Sequence, residues 1–168
     1  TCSITVSVID DIPPTPICET QTFVTLQPDG TALIYAETFD DGSHDNCGIS
    51  HFQASRNGEP FDDFIFVDCD DLGAPAVVTL QIHDDNGLTA ECTSMVVVED
   101  EVAPEILCPA AVNIGCGEDY NDVNITGQPF ATDNCSVASV SYSDVVNLNS
   151  CGIGTISRAW TAIDESNN

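Results

Sequence analysis

The sequence predicts an all-β protein made of tandem immunoglobulin-like β-sandwich repeats. Short runs alternate apolar and polar residues, turn-forming Gly, Pro, Asn and Asp separate these runs, and no long window has helical periodicity. Several short strands in a repeat of about 85–90 residues are typical of such a two-sheet sandwich. The expected strands are 3–9, 21–27, 31–38, 48–55, 61–67, 76–83, 91–98, 111–115, 122–130, 137–143 and 154–162.

An internal repeat organises the chain. Residues 2–18 match residues 92–108 without a gap: both segments begin and end with cysteine and carry an acidic pair followed by proline. Further motifs recur in the same order, which indicates duplicated structural units. The recurring motifs are Asp45-Asn46-Cys47 with Asp133-Asn134-Cys135, Cys69 with Cys151, and Asp84-Asp85 with Asp164-Glu165.

The repeat boundaries predict three segments. We expect residues 1–10 to be the last strand completing a preceding repeat, residues 11–99 to be the first repeat, and residues 100–168 to be a second repeat that lacks its last strand. The run Ile4–Val8 alternates apolar and polar residues, as a half-buried strand should. It would fill the open groove of another copy, either within a continuous array or as a donated strand. The expected partners are therefore further copies of the chain, arranged head to tail.

The charge is strongly negative. Asp and Glu number 28 against two Lys and Arg, for a formal net charge of −26. Such a surface repels nucleic acid and anionic membranes and attracts metal cations. No stretch is apolar enough to suggest direct membrane insertion. A simply soluble, salt-adapted surface is the alternative explanation of this composition.

Nine cysteines indicate an oxidising compartment, so we expect an extracellular or cell-surface protein. Zinc binding is the competing interpretation, but the closest spacing, Cys108 to Cys116, is too wide for a zinc knuckle. Recurrence in both repeats and similar heights in the sandwich predict the pairing. The expected disulfides are Cys47–Cys69, Cys135–Cys151, Cys18–Cys92, and Cys108 with Cys2 of the next copy, which leaves Cys116 over.

Three motifs in order resemble a known family. They are Pro-Glu-Ile-Leu-Cys-Pro at 104–109, Ala-Thr-Asp-Asn-Cys at 131–135 and Trp-Thr-Ala-Ile-Asp at 160–164. Together they are similar to hyalin-type (HYR) repeats, especially the cysteine-rich versions in giant bacterial surface proteins. The resemblance implies an immunoglobulin-like sandwich with a role in adhesion or extracellular scaffolding and no catalytic activity. Ser166 and Asn167 depart from it, because family members often carry cysteine and glycine there.

Acidic clusters predict calcium as the cofactor. In an immunoglobulin-like sandwich, the entry segment, the loop after the second strand and the last hairpin meet at one pole. Carboxylates gathered there need a cation, and calcium takes six to eight oxygen ligands in a flexible geometry. Solvated turn residues are the alternative. The candidate ligands are Asp10, Asp11, Asp40, Asp41, Asp45, Asp84 and Asp85 in the first repeat, and Asp100, Glu101, Asp133, Asp164 and Glu165 in the second.

No catalytic arrangement is predicted, so we do not expect an enzyme. The three histidines, His44, His51 and His83, have no counterparts in the second repeat and no nucleophile motif beside them. The expected function is a structural repeat of an extracellular rod or filament, stiffened by calcium at domain junctions and by disulfides. The alternative is a ligand-binding adhesin module of a cell-surface protein, with a glycan or another cell-surface molecule as its ligand.

Overall fold

The computed structural model describes residues 2–168, and the protein is predominantly β. The chain forms two compact units: unit 1 contains residues 2–26 and Thr31–Glu99, and unit 2 contains Gln27–Gly30 and Asp100–Asn168. The division after Glu99 falls at the boundary between the two expected repeats. No helix in the described part of the chain has the length and apolar content of a bilayer-spanning helix.

Unit 1 contains two sheets. Its four-stranded sheet has the order β1-β6-β5-β3, and its second sheet pairs β2 with β4. All pairs are antiparallel except β1 with β6, which run parallel. The strands are β1 (Gln21–Thr25), β2 (Thr31–Tyr35), β3 (Ile49–Arg56), β4 (Phe64–Asp68), β5 (Ala76–Asp84) and β6 (Thr89–Glu99), with short 3₁₀ turns at Ala36–Phe39 and Cys69–Asp71.

The core of unit 1 follows from strict alternation along the strands. Every second residue of β5 is buried, and β2 and β4 show the same period. Burying one such aliphatic side chain stabilises the fold by about 1.5–3 kcal/mol. The buried apolar side chains of these strands are Ala32, Ile34, Ile65, Val67, Ala76, Val78, Leu80 and Ile82.

The β5–β6 hairpin ends at an aspartate-capped turn. Asp84 Oδ1 accepts hydrogen bonds from the backbone amides of Asn86 and Leu88, both at 2.8 Å. Gly87 sits in the left-handed region at φ 89°, where glycine carries no steric penalty. This turn fixes the Asp84 carboxylate at the tip of the hairpin.

Unit 2 consists of two separate strand pairs and one helical turn. β7 (Glu105–Leu107) pairs with β8 (Phe130–Thr132), and β9 (Val137–Leu148) forms a long hairpin with β10 (Gly154–Asp164). The helical turn α1 spans Val123–Thr126.

Arg158, on β10, ties together parts of unit 2. Its guanidinium donates to both carboxylate oxygens of Asp144 at 2.8 Å, to the Tyr120 carbonyl at 3.0 Å and to Thr126 Oγ1 at 3.0 Å. It also lies 3.9 Å from the centre of the Tyr142 ring. This one side chain therefore links both strands of the hairpin to the segment around α1.

Three of the expected strands are not formed within the chain. Residues 3–9 contain no strand. Residues 122–130 were misread because Val123 and Ile125 alternate with polar residues, whereas Asp122 caps a helical turn by accepting from the Asn124 amide. Residues 111–115 align with β1, which pairs only with β6, and among residues 2–168 no strand follows β10 in the position that corresponds to β6.

Candidate metal centre

The first candidate site lies in unit 1, where Asp10, Asp45 and Cys47 bring ligand atoms within 4.8 Å of one another. Asp45 shapes its own loop, because Oδ2 accepts from the amides of Cys47 at 2.7 Å and Gly48 at 3.2 Å. Its other oxygen, Oδ1, is buried and has no hydrogen-bond partner. A buried carboxylate oxygen without a donor is costly unless a cation is bound there.

Asp10 is held at the same place by amides from three segments. Oδ1 accepts from the Ile12 amide at 3.2 Å and from the Asn46 side chain at 3.3 Å, and Oδ2 accepts from the Asn86 side chain at 3.3 Å. The Ile12 amide in particular lowers the pKa of the Asp10 carboxyl, and the side-chain amides act in the same direction against burial. Asp10 is therefore anionic at neutral pH.

Asp84 adds a third carboxylate to this first site. Its side chain is only 3% exposed, and while Oδ1 caps the hairpin turn, Oδ2 is buried without a partner. The pKa of the Cys47 thiol is raised, first by desolvation, then by its hydrogen bond with Asp10, and then by the negative charges of Asp10, Asp45 and Asp84. Three carboxylates therefore act on one point, and Cys47 stays a neutral thiol there.

The second candidate site lies in unit 2 and repeats this arrangement. Oxygens of Asp100, Asp133 and Asp164 lie within 4.8 Å of one another. Asp133 Oδ1 accepts from the amides of Cys135 at 3.0 Å and Ser136 at 3.2 Å, which is the pattern of Asp45. Its Oδ2 is buried without a partner, again as in Asp45.

Asparagine side chains support the other two carboxylates of unit 2. Asn134 donates to Asp100 Oδ1 at 3.0 Å, and Asn168 donates its backbone amide to Asp164 Oδ1 at 2.9 Å and its side chain to Oδ2 at 3.1 Å. Burial raises the pKa of Asp164, but hydrogen bonds from Asn168 and neighbouring amides outweigh it, and the net pKa is lowered. The carboxylate therefore stays charged although it is only 2% exposed.

The two sites are equivalent by the internal repeat. We call Asp10, Asp45 and Asp84 the first triad, since the charge of Asp84 acts on Cys47 beside the other two, although only Asp10 and Asp45 belong with Cys47 to the group within 4.8 Å. These residues align with Asp100, Asp133 and Asp164, the second triad. Neither triad contains a protein cation, because Arg56 pairs with Asp71 and Arg158 pairs with Asp144. Converging carboxylates with unsatisfied oxygens suit a hard divalent cation, and calcium accepts such oxygen ligands with water completing the shell.

The remaining candidate ligands stay outside the triads. Both oxygens of Asp40 are used within its own turn, accepting from the amides of Gly42 and Ser43. The other five are exposed and belong to neither cluster: Asp11, Asp41, Asp85, Glu101 and Glu165.

The asparagines are the functional residues that sequence reasoning missed. Asn46 and Asn134 occur in the recurring Asp-Asn-Cys motif and play the same part in both sites. That recurrence was the signal that could have identified them. Asn86 and Asn168 carried no comparable signal, because asparagine is common in any turn.

The cysteines correct two expected disulfides. Cys18 is bonded to Cys92, as the sequence predicts, with the Cα atoms 5.9 Å apart. Cys47 and Cys151 are free, so the expected pairs Cys47–Cys69 and Cys135–Cys151 are wrong.

The register of unit 1 explains why Cys47 does not meet Cys69. Cys47 lies near Asp84, at the end of β5, whereas Leu72, three residues after Cys69, bridges to Val98, close to where Val96 pairs with the start of β5 at the opposite pole. Recurrence of a cysteine in both repeats therefore did not mean that its nearest recurring neighbour was its partner.

No protein-family model, curated protein or solved structure matches this chain. The resemblance to hyalin-type repeats therefore continues to rest on the motifs alone.

Proposed function

We propose that this chain is a structural repeat of an extracellular rod or filament, built from tandem immunoglobulin-like domains that each bind one calcium ion. The observation that carries the proposal is the pair of equivalent aspartate triads. Each triad draws its carboxylates from three segments that are distant in sequence, so a bound ion would tie the entry segment, a loop and the last hairpin of a unit together.

The strand order of unit 1 supports an immunoglobulin-like sandwich. β2 and β4 form one sheet, and β3, β5 and β6 lie together in the other, as strands B and E are separated from C, F and G in that fold. Both sheets contribute alternating apolar residues to the buried core. Unit 2 follows the same motif order in its sequence and carries the equivalent β9–β10 hairpin.

The chemistry of the triads favours calcium over the alternatives. Each site offers carboxylate oxygens in a loose arrangement, whereas magnesium demands near-octahedral geometry with short bonds. Zinc prefers several thiolate and imidazole ligands, whereas the first site offers one cysteine beside its carboxylates and the second offers carboxylates alone.

The Cys18–Cys92 disulfide supports an extracellular location. It closes a loop with a sequence separation of 74 and is of the kind that persists in oxidising compartments. Nine cysteines in one chain are also more than a reducing compartment usually tolerates as structural residues.

Calcium titration of the metal-free chain tests the proposal. Isothermal titration calorimetry should show two sites per chain, and Asp45→Asn and Asp133→Asn should each remove one of them. Asp41→Asn is the matched control, because it makes the same charge change at an exposed residue outside both triads. Two sites that persist in both triad variants would refute the assignment.

A further inference from the structure

The outer edge of β10 is unpaired in unit 2. In unit 1 the equivalent strand, β5, pairs with β3 on one side and β6 on the other. In unit 2, β10 pairs only with β9, and no described residue pairs with its other edge. An open edge of this length, eleven residues, is a template for another strand.

Unit 2 also lacks a completed core. Every buried apolar side chain in the described part of the chain belongs to unit 1, and Asp100 and Asp164 are the only buried residues between 100 and 168. The inward-facing positions of β10, which alternate from Ile156 to Ala162, are only half-buried. An apolar strand laid against β10 would cover them.

Residues 2–9 have the properties of that strand. In its own chain this segment forms no strand, and Ile4, Val6 and Val8 are 84%, 76% and 94% exposed. The segment aligns with residues 92–99 of β6, whose inward positions are Ser94, Val96 and Val98. Those positions correspond to Ile4, Val6 and Val8, so the apolar residues fall on the inward face, and Ser3, Thr5 and Ser7 face outward.

We propose that residues 2–9 of one copy pair with β10 of another copy and complete its unit 2. The β5–β6 register, in which Leu80 lies opposite Cys92 and Val78 opposite Ser94, transfers to the new pair. Residues 2–9 align with 92–99, and β10 aligns with β5 so that Trp160 corresponds to Leu80. The transferred register therefore places Cys2 opposite Trp160, Ile4 opposite Arg158 and Val6 opposite Ile156. This contact rests on the proposed filament function, for which a second copy would be the partner and the edge of β10 the receiving surface.

Charge favours this contact over other surfaces of the chain. Residues 2–9 contain no charged side chain, although the whole chain has a net charge of −26. β10 carries Arg158, one of the two basic residues, and its only acid is the terminal Asp164. Two copies can therefore meet here without placing carboxylates against each other.

The same register brings two free cysteines together. In unit 1, Cys18 is bonded to Cys92, and their counterparts are Cys108 and Cys2, both free and exposed. Cys108 and Trp160 line one cavity of unit 2, so the position expected for the incoming Cys2 is beside Cys108. Exchange with a small-molecule disulfide such as oxidised glutathione would join the two sulfurs. The glutathione disulfide bond would break, and its two halves would leave as two molecules of reduced glutathione that carry the protons of the two cysteine thiols.

The resulting contact is heterologous. Residues 2–9 and β10 are different surfaces of the same chain, so each copy gives one strand and receives another. Such a contact continues from copy to copy and builds a line. Linking through Cys2 and Cys108 would make the line covalent.

Analytical ultracentrifugation of the full chain tests the strand contact. Val6→Asp places a charge on the inward face, and Thr5→Asp is the matched control with the same charge on the outward face. Loss of a buried valine contact should weaken association about tenfold to a hundredfold for Val6→Asp relative to Thr5→Asp. Residue 6 is exposed in the single chain, and circular dichroism would verify that both variants keep its fold. Equal association of the two variants, or a wild type that stays monomeric at high concentration, would overturn the proposal.

Non-reducing peptide mapping tests the disulfide. Equal amounts of ¹⁴N- and ¹⁵N-labelled chain are mixed, oxidised with glutathione disulfide and digested. The expected result is a Cys2–Cys108 peptide of mixed label, and Cys2→Ser should remove it. A peptide of single label only would mean that the strand folds back on its own β10, which would refute the head-to-tail contact. Calcium titration and peptide mapping of the same samples separate the two proposals: calcium sites that persist in Asp45→Asn and Asp133→Asn beside a mixed-label peptide would refute only the calcium assignment, whereas sites lost in those variants beside a wild type without a mixed-label peptide would refute only the strand contact.

Discussion

Calcium should stabilise unit 2 by an amount that a thermal melt resolves easily. A ligand at a hundred times its dissociation constant stabilises the folded state by about 2.7 kcal/mol per site. In a unit of this size, 1 kcal/mol shifts the melting temperature by about 4–8 °C. Replacing chelator with saturating calcium should therefore raise the melting temperature of unit 2 by about 10–20 °C.

Asp133→Asn should remove most of this calcium-dependent increase. The asparagine oxygen still accepts from the amides of Cys135 and Ser136, so the loop keeps its turn, while the charge of the unpartnered Oδ2 is lost. Asp41→Asn is the matched control, because Asp41 is exposed and belongs to neither triad.

Tryptophan fluorescence is the appropriate readout. Trp160 is the only tryptophan of the chain and lies on β10, four positions before Asp164, so it reports on unit 2. The melts are recorded with calcium, with magnesium and with chelator. An equal shift for the wild type, Asp133→Asn and Asp41→Asn would refute the site, and an equal shift with magnesium would refute the assignment of the ion.

Three further predictions concern stability. Replacing Cys92 with alanine removes the Cys18–Cys92 disulfide, whose cysteines are 74 residues apart in sequence. The loop-entropy relation predicts that the free energy of unfolding falls by up to about 4.5 kcal/mol, measured by urea unfolding against the oxidised wild type. The Arg158 hydrogen bond lowers the pKa of Asp144, so this ion pair stabilises the folded protein above the ordinary carboxyl pKa, and the stabilisation is lost as the pH falls through the pKa of Asp144 in the folded protein. Asp144→Asn should therefore reduce the loss of unfolding free energy at acidic pH, measured by urea unfolding at several pH values. Burial, and then the neighbouring His51, lower the pKa of His83, so stability should fall as pH drops through about 6.5, and His83→Gln should abolish that fall.

The strands of unit 1 could be predicted because their evidence is local. Alternation from Ala76 to Asp84 marks one buried face, and the breakers on either side mark the ends. The triads were also within reach, because Asp10, Asp45 and Asp84 each sit in a motif that recurs. What could not be predicted was which of Asp40, Asp41 and Asp45 joins the triad, because all three lie between β2 and β3, where no strand alternation orients them.

Unit 2 was harder to predict because its pairing is not local. Residues 111–115 have the sequence of a strand, but the counterpart of their partner is β6, and no such strand follows β10 in the described chain. The disulfides failed for a related reason. Cys47 and Cys69 are close in sequence, yet the bridge from Leu72 to Val98 places the turn that begins at Cys69 at the pole opposite the triad.

The triads connect the acidity of the chain to its fold. A cation coordinated by Asp100, Asp133 and Asp164 can bind only after the entry segment, the Asp-Asn-Cys loop and the end of β10 have assembled. The free energy of cation binding would therefore add to the stability of the folded unit. Two divalent ions would change the net charge only from −26 to about −22, and the remainder keeps most of the surface unfavourable for contact between copies. On the strand contact proposed above, attraction between copies would be confined to the uncharged segment of residues 2–9 and the edge of β10. In the proposed filament, the negative charge would therefore both favour a bound ion in each unit and restrict contact between copies to this one pair of surfaces.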